Sequence, residues 1–274
     1  MTSTNGSPSS APTRAQTGAL MPRRRILAVV VAALGVAAVA FPPIGGARAA
    51  ERSQEPKLFE KEITIMAKLG YLLSLPEGYG ADPAKKWPLL VFLHGAGESG
   101  SDLEKVKIHG PPKLIAAGTF DHPCIVVSPQ CPGRGWNADL VGALIDDICR
   151  EYRVDEERIY LTGLSMGGFG TWALAAARPE RFAAIAPICG GGNPVDAIKL
   201  RGLPMWVFHG EKDTVVPLVA SQAMVKALEA LGQKDNVKFT IYPDVGHDSW
   251  TETYANPEFY SWLFAQKRPA AQGK

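Results

Sequence analysis

The sequence is poor in the residues that build metal centres. It has five histidines and four cysteines in 274 residues. Cys124, Cys131, Cys149 and Cys189 show none of the paired spacings of a zinc site, so no metal is expected. The main apolar run, Ile26 to Phe41, is 16 residues long, short of the roughly 20 that span a bilayer. Acidic residues are absent from positions 1–49, which carry Arg14, Arg23, Arg24, Arg25 and Arg48. Beyond them, 24 basic residues face 27 acidic ones, a net charge of −3. The basic excess therefore belongs to a leader, and no basic face is available for nucleic acid. No internal repeat occurs, and no Gly/Ser/Pro-rich linker divides the chain after residue 49.

The leader has the parts of an export signal. Arg23-Arg24-Arg25 is a positive n-region, Ile26–Phe41 an apolar core, and Ala47-Arg48-Ala49 a small-x-small cleavage site. Residues 1–49 are read as a signal peptide with a polar N-terminal extension, and an uncleaved anchor is the alternative. Cleavage near Ala49 leaves a secreted or periplasmic protein without stable membrane association. The arginine run loosely resembles a twin-arginine signal but lacks the Ser or Thr before it and the Lys after it. Export permits disulfides, and four cysteines allow three pairings. Cys124 and Cys131 flank an extended segment whose ends stand roughly 20 Å apart, beyond disulfide reach. Unpaired buried thiols are the other reading.

Residues 50–274 read as one α/β domain. The apolar runs Leu89–Leu93, Ile125–Ser128, Ile159–Thr162, Ala184–Ile188, Met205–Phe208 and Val237–Tyr242 lack strict alternation. That pattern suits strands buried on both faces of a parallel sheet. Between them, apolar residues at 140, 141, 144, 145, 148 and 152 form a helical stripe. Val219, Met224, Leu228 and Leu231 form another, ended by Gly232. Alternation of this kind predicts a doubly wound, mostly parallel sheet with helices on both faces. The short Gly/Pro-containing connection between Ile188 and Met205 leaves no room for a helical cap, so the site should be open and shallow.

Chemistry is concentrated at four strand ends. Gly163-Leu164-Ser165-Met166-Gly167 follows one strand and precedes a helix-compatible stretch, Phe169 to Ala177. A serine on so sharp a turn needs glycines around it, and the turn aims the first helical amides at the same point. Serine needs a base, and the base an orienting acid, in the chain order Ser, Asp, His. Asp213 follows the strand Met205–Phe208, and His247 follows Val237–Tyr242. Glu211, Asp244 and Asp248 are rival acids. His94-Gly95-Ala96-Gly97-Glu98 follows the strand Leu89–Leu93 and should supply an oxyanion donor. The Ala96 amide is first choice and Gly97 second, paired with the amide of Met166. His94 reads as a structural hydrogen-bonding residue. Trp136, on the loop after Ile125–Ser128, is either a pocket wall or surface packing, and Trp250 beside His247 has the same two readings.

Together these motifs resemble the exported, cap-less branch of the phospholipase/carboxylesterase and dienelactone-hydrolase-like α/β-hydrolases, also described as predicted or prolyl-oligopeptidase-like peptidases. Ser128-Pro129-Gln130, Arg158 to Thr162 and Gly190-Gly191-Gly192 are similar too, and the likeness covers roughly residues 66–266. It implies hydrolysis of a small-molecule or polysaccharide-borne carboxylic ester through an acyl-enzyme, with no cofactor. Dienelactone hydrolases proper use a Cys nucleophile where this chain has Ser165. No propeller domain precedes the hydrolase region, so the size-selecting gate of prolyl oligopeptidases is not expected. A serine peptidase is the alternative activity, and a non-catalytic binding protein a more distant one.

Overall fold

The computed structural model describes residues 54–61 and 66–268. The expected signal peptide, residues 1–49, lies outside them. The chain divides into two units, Met1–Lys61 and Glu62–Lys274. Within the first, residues 54–61 form neither helix nor strand. No helix among the described residues is long and apolar enough to cross a membrane.

The second unit is a seven-stranded sheet in the order β1-β3-β2-β4-β5-β6-β7. Its strands are β1 (Tyr71–Ser74), β2 (Trp87–Leu93), β3 (Ile125–Pro129), β4 (Val154–Leu164), β5 (Ala184–Ile188), β6 (Met205–Gly210) and β7 (Val237–Tyr242). All neighbours run parallel except β1, which pairs antiparallel with β3 at the edge. The helices are α1 (Gly110–Ala116), α2 (Ala138–Glu151), α3 (Met166–Ala177), α4 (Val219–Ala230), α5 (Trp250–Ala255) and α6 (Pro257–Ala265).

The unalternating strands are explained by two cores. Leu89, Val91 and Leu93 of β2 face Ile145 of α2, Trp172 of α3 and Leu228 of α4 within one core. Leu90 and Phe92, from the other side of the same strand, pack with Tyr254 of α5 and with Phe259 and Leu263 of α6. All five β2 residues are fully buried, and each contributes about 1.5–3 kcal/mol of hydrophobic stabilisation. The six strands expected from the sequence are all present, and β1 is an addition. The predicted helical stripes fall on α2 and α4, where Ile145, Ile148, Met224 and Leu228 are buried while Val219 stays exposed. Gly232 closes α4 with φ +75°. Between β5 and β6 there is a 3-10 turn, Pro194–Leu200, and no helical cap.

All four cysteines are unpaired. Burial pushes the thiols of Cys124 and Cys189 up to about 12 and that of Cys149 up to about 11.

Candidate active site

Ser165 stands between β4 and α3 with φ 51° and ψ −116°, a conformation that L-residues rarely adopt. The surroundings enforce it. The Ser165 amide donates to the Ile188 carbonyl at 2.9 Å and to Cys189 Sγ at 3.3 Å. A Cβ on Gly163 would lie 2.8 Å from the Leu93 carbonyl oxygen. One on Gly167 would lie 2.8 Å from that of His94 and overlap that of Leu93. The turn can therefore form only where β2, β4 and α3 approach backbone to backbone, and that requires glycine at both positions.

His247 and Asp213 arrive from the ends of β7 and β6. His247 Nε2 lies 2.9 Å from Ser165 Oγ, and Nδ1 lies 2.7 Å from Asp213 Oδ2. A carboxylate can only accept, so Nδ1 carries the proton and Nε2 is left to accept from the serine hydroxyl. The other Asp213 oxygen, Oδ1, accepts the amides of Val215 at 2.8 Å and Val216 at 2.9 Å. Burial alone would push the Asp213 carboxyl up. The bonds from His247, Val216 and Val215 outweigh it and hold the carboxyl below the ordinary carboxylate range.

The rival acids are elsewhere. Asp244 is largely exposed and pairs with Lys212. Asp248 bonds the amide and hydroxyl of Thr251, and Glu211 is exposed. One contributor escaped the sequence reading. His209, fully buried, donates through Nε2 to the Val216 carbonyl at 2.8 Å and lies 3.3 Å from Asp213 Oδ2. It braces the loop that carries the acid. Its signal was its place at the end of β6, four residues before Asp213.

The loop after β2 lies over the serine: the Cβ position of Gly95 is 3.7 Å from Ser165 Cβ. Among the described residues, neither the Ala96 nor the Met166 amide donates to another protein group. Gly97 is exposed with open space around it. His94 matches its structural reading. Its Nε2 accepts from the Cys131 amide at 2.9 Å, which leaves Nδ1 to donate to the Gly95 carbonyl at 2.6 Å. Burial lowers its pKa, so a neutral ring ties the two loops together.

Trp136 donates to the His94 carbonyl at 3.2 Å and lines a groove of about 440 Å³ with Ser165, Met166, Phe169 and Ala173. It therefore borders the groove beside Ser165. Trp250 stands edge-on to the His247 ring, centroids 5.2 Å apart.

Fold and site together define an α/β-hydrolase with a hydrogen-bonded Ser-His-Asp line at the carboxyl edge of its sheet. Residues 136–256 match the phospholipase/carboxylesterase family model, in agreement with the resemblance read from the motifs. The chain is 30% identical over 161 residues to a probable feruloyl esterase C of Aspergillus terreus, covering 54% of this chain and 56% of that protein. It is 39% identical over 139 residues to a bifunctional acetylxylan esterase/xylanase of Neocallimastix patriciarum, covering 47% of this chain and 20% of that one. The chain thus spans little more than half the length of the first of these curated relatives and a fifth of the second. Among solved structures, a thermostable esterase superposes with a TM-score of 0.64 at 38% identity, over 73% of this chain and 60% of that one.

Proposed function

We propose that this chain is an exported serine carboxylesterase acting on short acyl or aryl esters, including acetyl or feruloyl esters borne on polysaccharide. The observation that carries the proposal is the Ser165–His247–Asp213 hydrogen-bonded line, with the Ala96 and Met166 amides on the adjoining turns left without a protein acceptor. His247 Nε2 takes the hydroxyl proton as Ser165 Oγ bonds to the ester carbonyl carbon. The carbonyl oxygen becomes an oxyanion held by the two amides. When the tetrahedral intermediate collapses, the C–O bond to the alcohol breaks and His247 returns the proton to the departing oxygen. Water then repeats the sequence on the acyl-enzyme.

The open groove beside Ser165, lined by Trp136, Phe169 and Ala173, suits a flat or short acyl group rather than a long chain. The names of the relatives point the same way, and the leader sequence supports export. Acylaminoacyl peptidase of Pyrococcus horikoshii shares the fold at 18% identity, which makes serine peptidase the second reading. An amine is a harder leaving group than an alcohol, which favours the ester.

The test is hydrolysis of p-nitrophenyl acetate, butyrate and octanoate by the purified protein and by Ser165→Ala. Turnover by the wild type alone, greatest on the short chains, is expected. Rates that climb steadily to octanoate would refute the short-acyl part. A peptide anilide cleaved as fast as the matching ester would move the assignment to peptidase.

A further inference from the structure

The ester reading leaves a second group of polar and aromatic side chains beside His247 unexplained. Trp250 donates through Nε1 to His109 Nδ1 at 3.3 Å. That bond leaves the neutral His109 ring with its proton on Nε2. Nε2 lies 3.8 Å from Glu98 Oε1, too far for a direct hydrogen bond. Glu98 is 6% exposed, and its other oxygen, Oε2, has no partner. The Cβ position of Gly95 lies 3.2 Å from that oxygen and 3.7 Å from Ser165 Cβ, so Glu98 and the nucleophile border the same glycine. A buried acceptor without a donor costs about 1–3 kcal/mol, and buried polar atoms are normally satisfied by protein, water or ligand. A hollow of about 130 Å³ lies on the His109 and Trp250 side of this group, lined by those two with Lys113, Leu114 and Thr251 but not by Glu98.

Resting on the esterase reading, we propose that Trp250, His109 and Glu98 form the subsite for the alcohol half of the ester, and that this alcohol is a sugar. The leaving oxygen must lie against His247 Nε2, which protonates it. Trp250, packed on the His247 ring, is therefore a neighbour of whatever that oxygen is attached to. A hydroxyl held between His109 and Glu98 accepts from Nε2–H and donates to Oε1, across the 3.8 Å that separates them, on a carboxylate whose Oε2 still has room for a donor. The indole offers the apolar face on which a sugar ring packs. The groove on the Trp136 side is lined mainly by apolar side chains and is left for the acyl group. A site built to bond a substrate hydroxyl discriminates strongly against the analogue without one.

The experiment compares the wild type, Glu98→Gln and His109→Ala on two esters with one acyl group, methyl ferulate and the ferulate ester of arabinose. Saturation-transfer NMR with methyl arabinofuranoside reports sugar binding without turnover. The wild type should prefer the sugar ester. Each variant should cut the ratio of kcat/KM values, sugar to methyl ester, about tenfold, chiefly through KM, with loss of the NMR signal. His109 is partly exposed, so its variant tests the proposal even if Glu98→Gln fails to fold. A ratio unmoved in the folded variants overturns the subsite. If neither ester is hydrolysed, the esterase reading fails on its own. The NMR arm then decides the subsite: wild-type binding lost in the variants supports it, and no wild-type signal overturns it.

Discussion

Replacing Asp213 by Asn changes one atom and tests whether this carboxylate sets the proton on His247. Two amides, Val215 and Val216, bond Oδ1 at 2.8 and 2.9 Å. An asparagine that keeps them must keep its carbonyl there, which turns its NH2 toward His247 Nδ1. Rotating it the other way strips two part-buried amides of their acceptor, at a cost of up to about 1–3 kcal/mol each. The tautomer-reversing orientation therefore wins. Nδ1 then becomes the acceptor, and Nε2 carries a proton toward Ser165 Oγ and cannot take one from it. In a serine-protease triad the same replacement lowers kcat by about 10⁴. A fall of about 10³–10⁴ is expected here, roughly 4–5.5 kcal/mol of barrier. The assay is steady-state hydrolysis of p-nitrophenyl acetate, with circular dichroism to confirm the fold. A folded variant within tenfold of the wild type would refute the reasoning and return the acid role to Glu211 or Asp244.

Gly167→Ala should abolish the elbow, because its methyl overlaps the Leu93 carbonyl oxygen. A thermal midpoint several degrees lower and loss of turnover are expected, and a variant as stable as the wild type would contradict the packing described. Acid stability follows from Asp213. Its folded pKa lies below the ordinary value of about 4. The stability it contributes is therefore present above that value and is lost as pH falls through the lower folded one. Urea midpoints should drop on that limb, and more shallowly in Asp213→Asn; parallel limbs would show that the bonds to Asp213 add no stability. Thiol titration of the native protein should be slow, since burial raises Cys124, Cys149 and Cys189. Unreduced protein in guanidinium should show all four thiols, and two would reveal a disulfide.

The sequence by itself determined the strand–helix alternation, the sheet buried on both faces and the three side chains that meet at its carboxyl edge. These were legible because each is local: an apolar run, a helical stripe, or a polar residue just past a strand. The elbow was legible because its glycines flank the serine in the sequence, although the carbonyls that demand them belong to Leu93 and His94 on a distant strand. What the tertiary structure decided needed atoms brought together from distant parts of the chain. The edge strand β1 covers too little apolar surface to leave a pattern, and its half-buried residues find their place only by pairing with β3. Asp213 was the first choice for the acid, but Asp244 stood as a rival on the next loop. The difference arises because one sits over two amides and a buried His209, while the other points outward to Lys212. Glu98, His109 and Trp250 span more than 150 positions, and nothing in their separate neighbourhoods announces that they meet. Hydrogen-bond partners and burial depend on all the chains of contact at once, whereas periodicity and turn chemistry depend on a few adjacent residues.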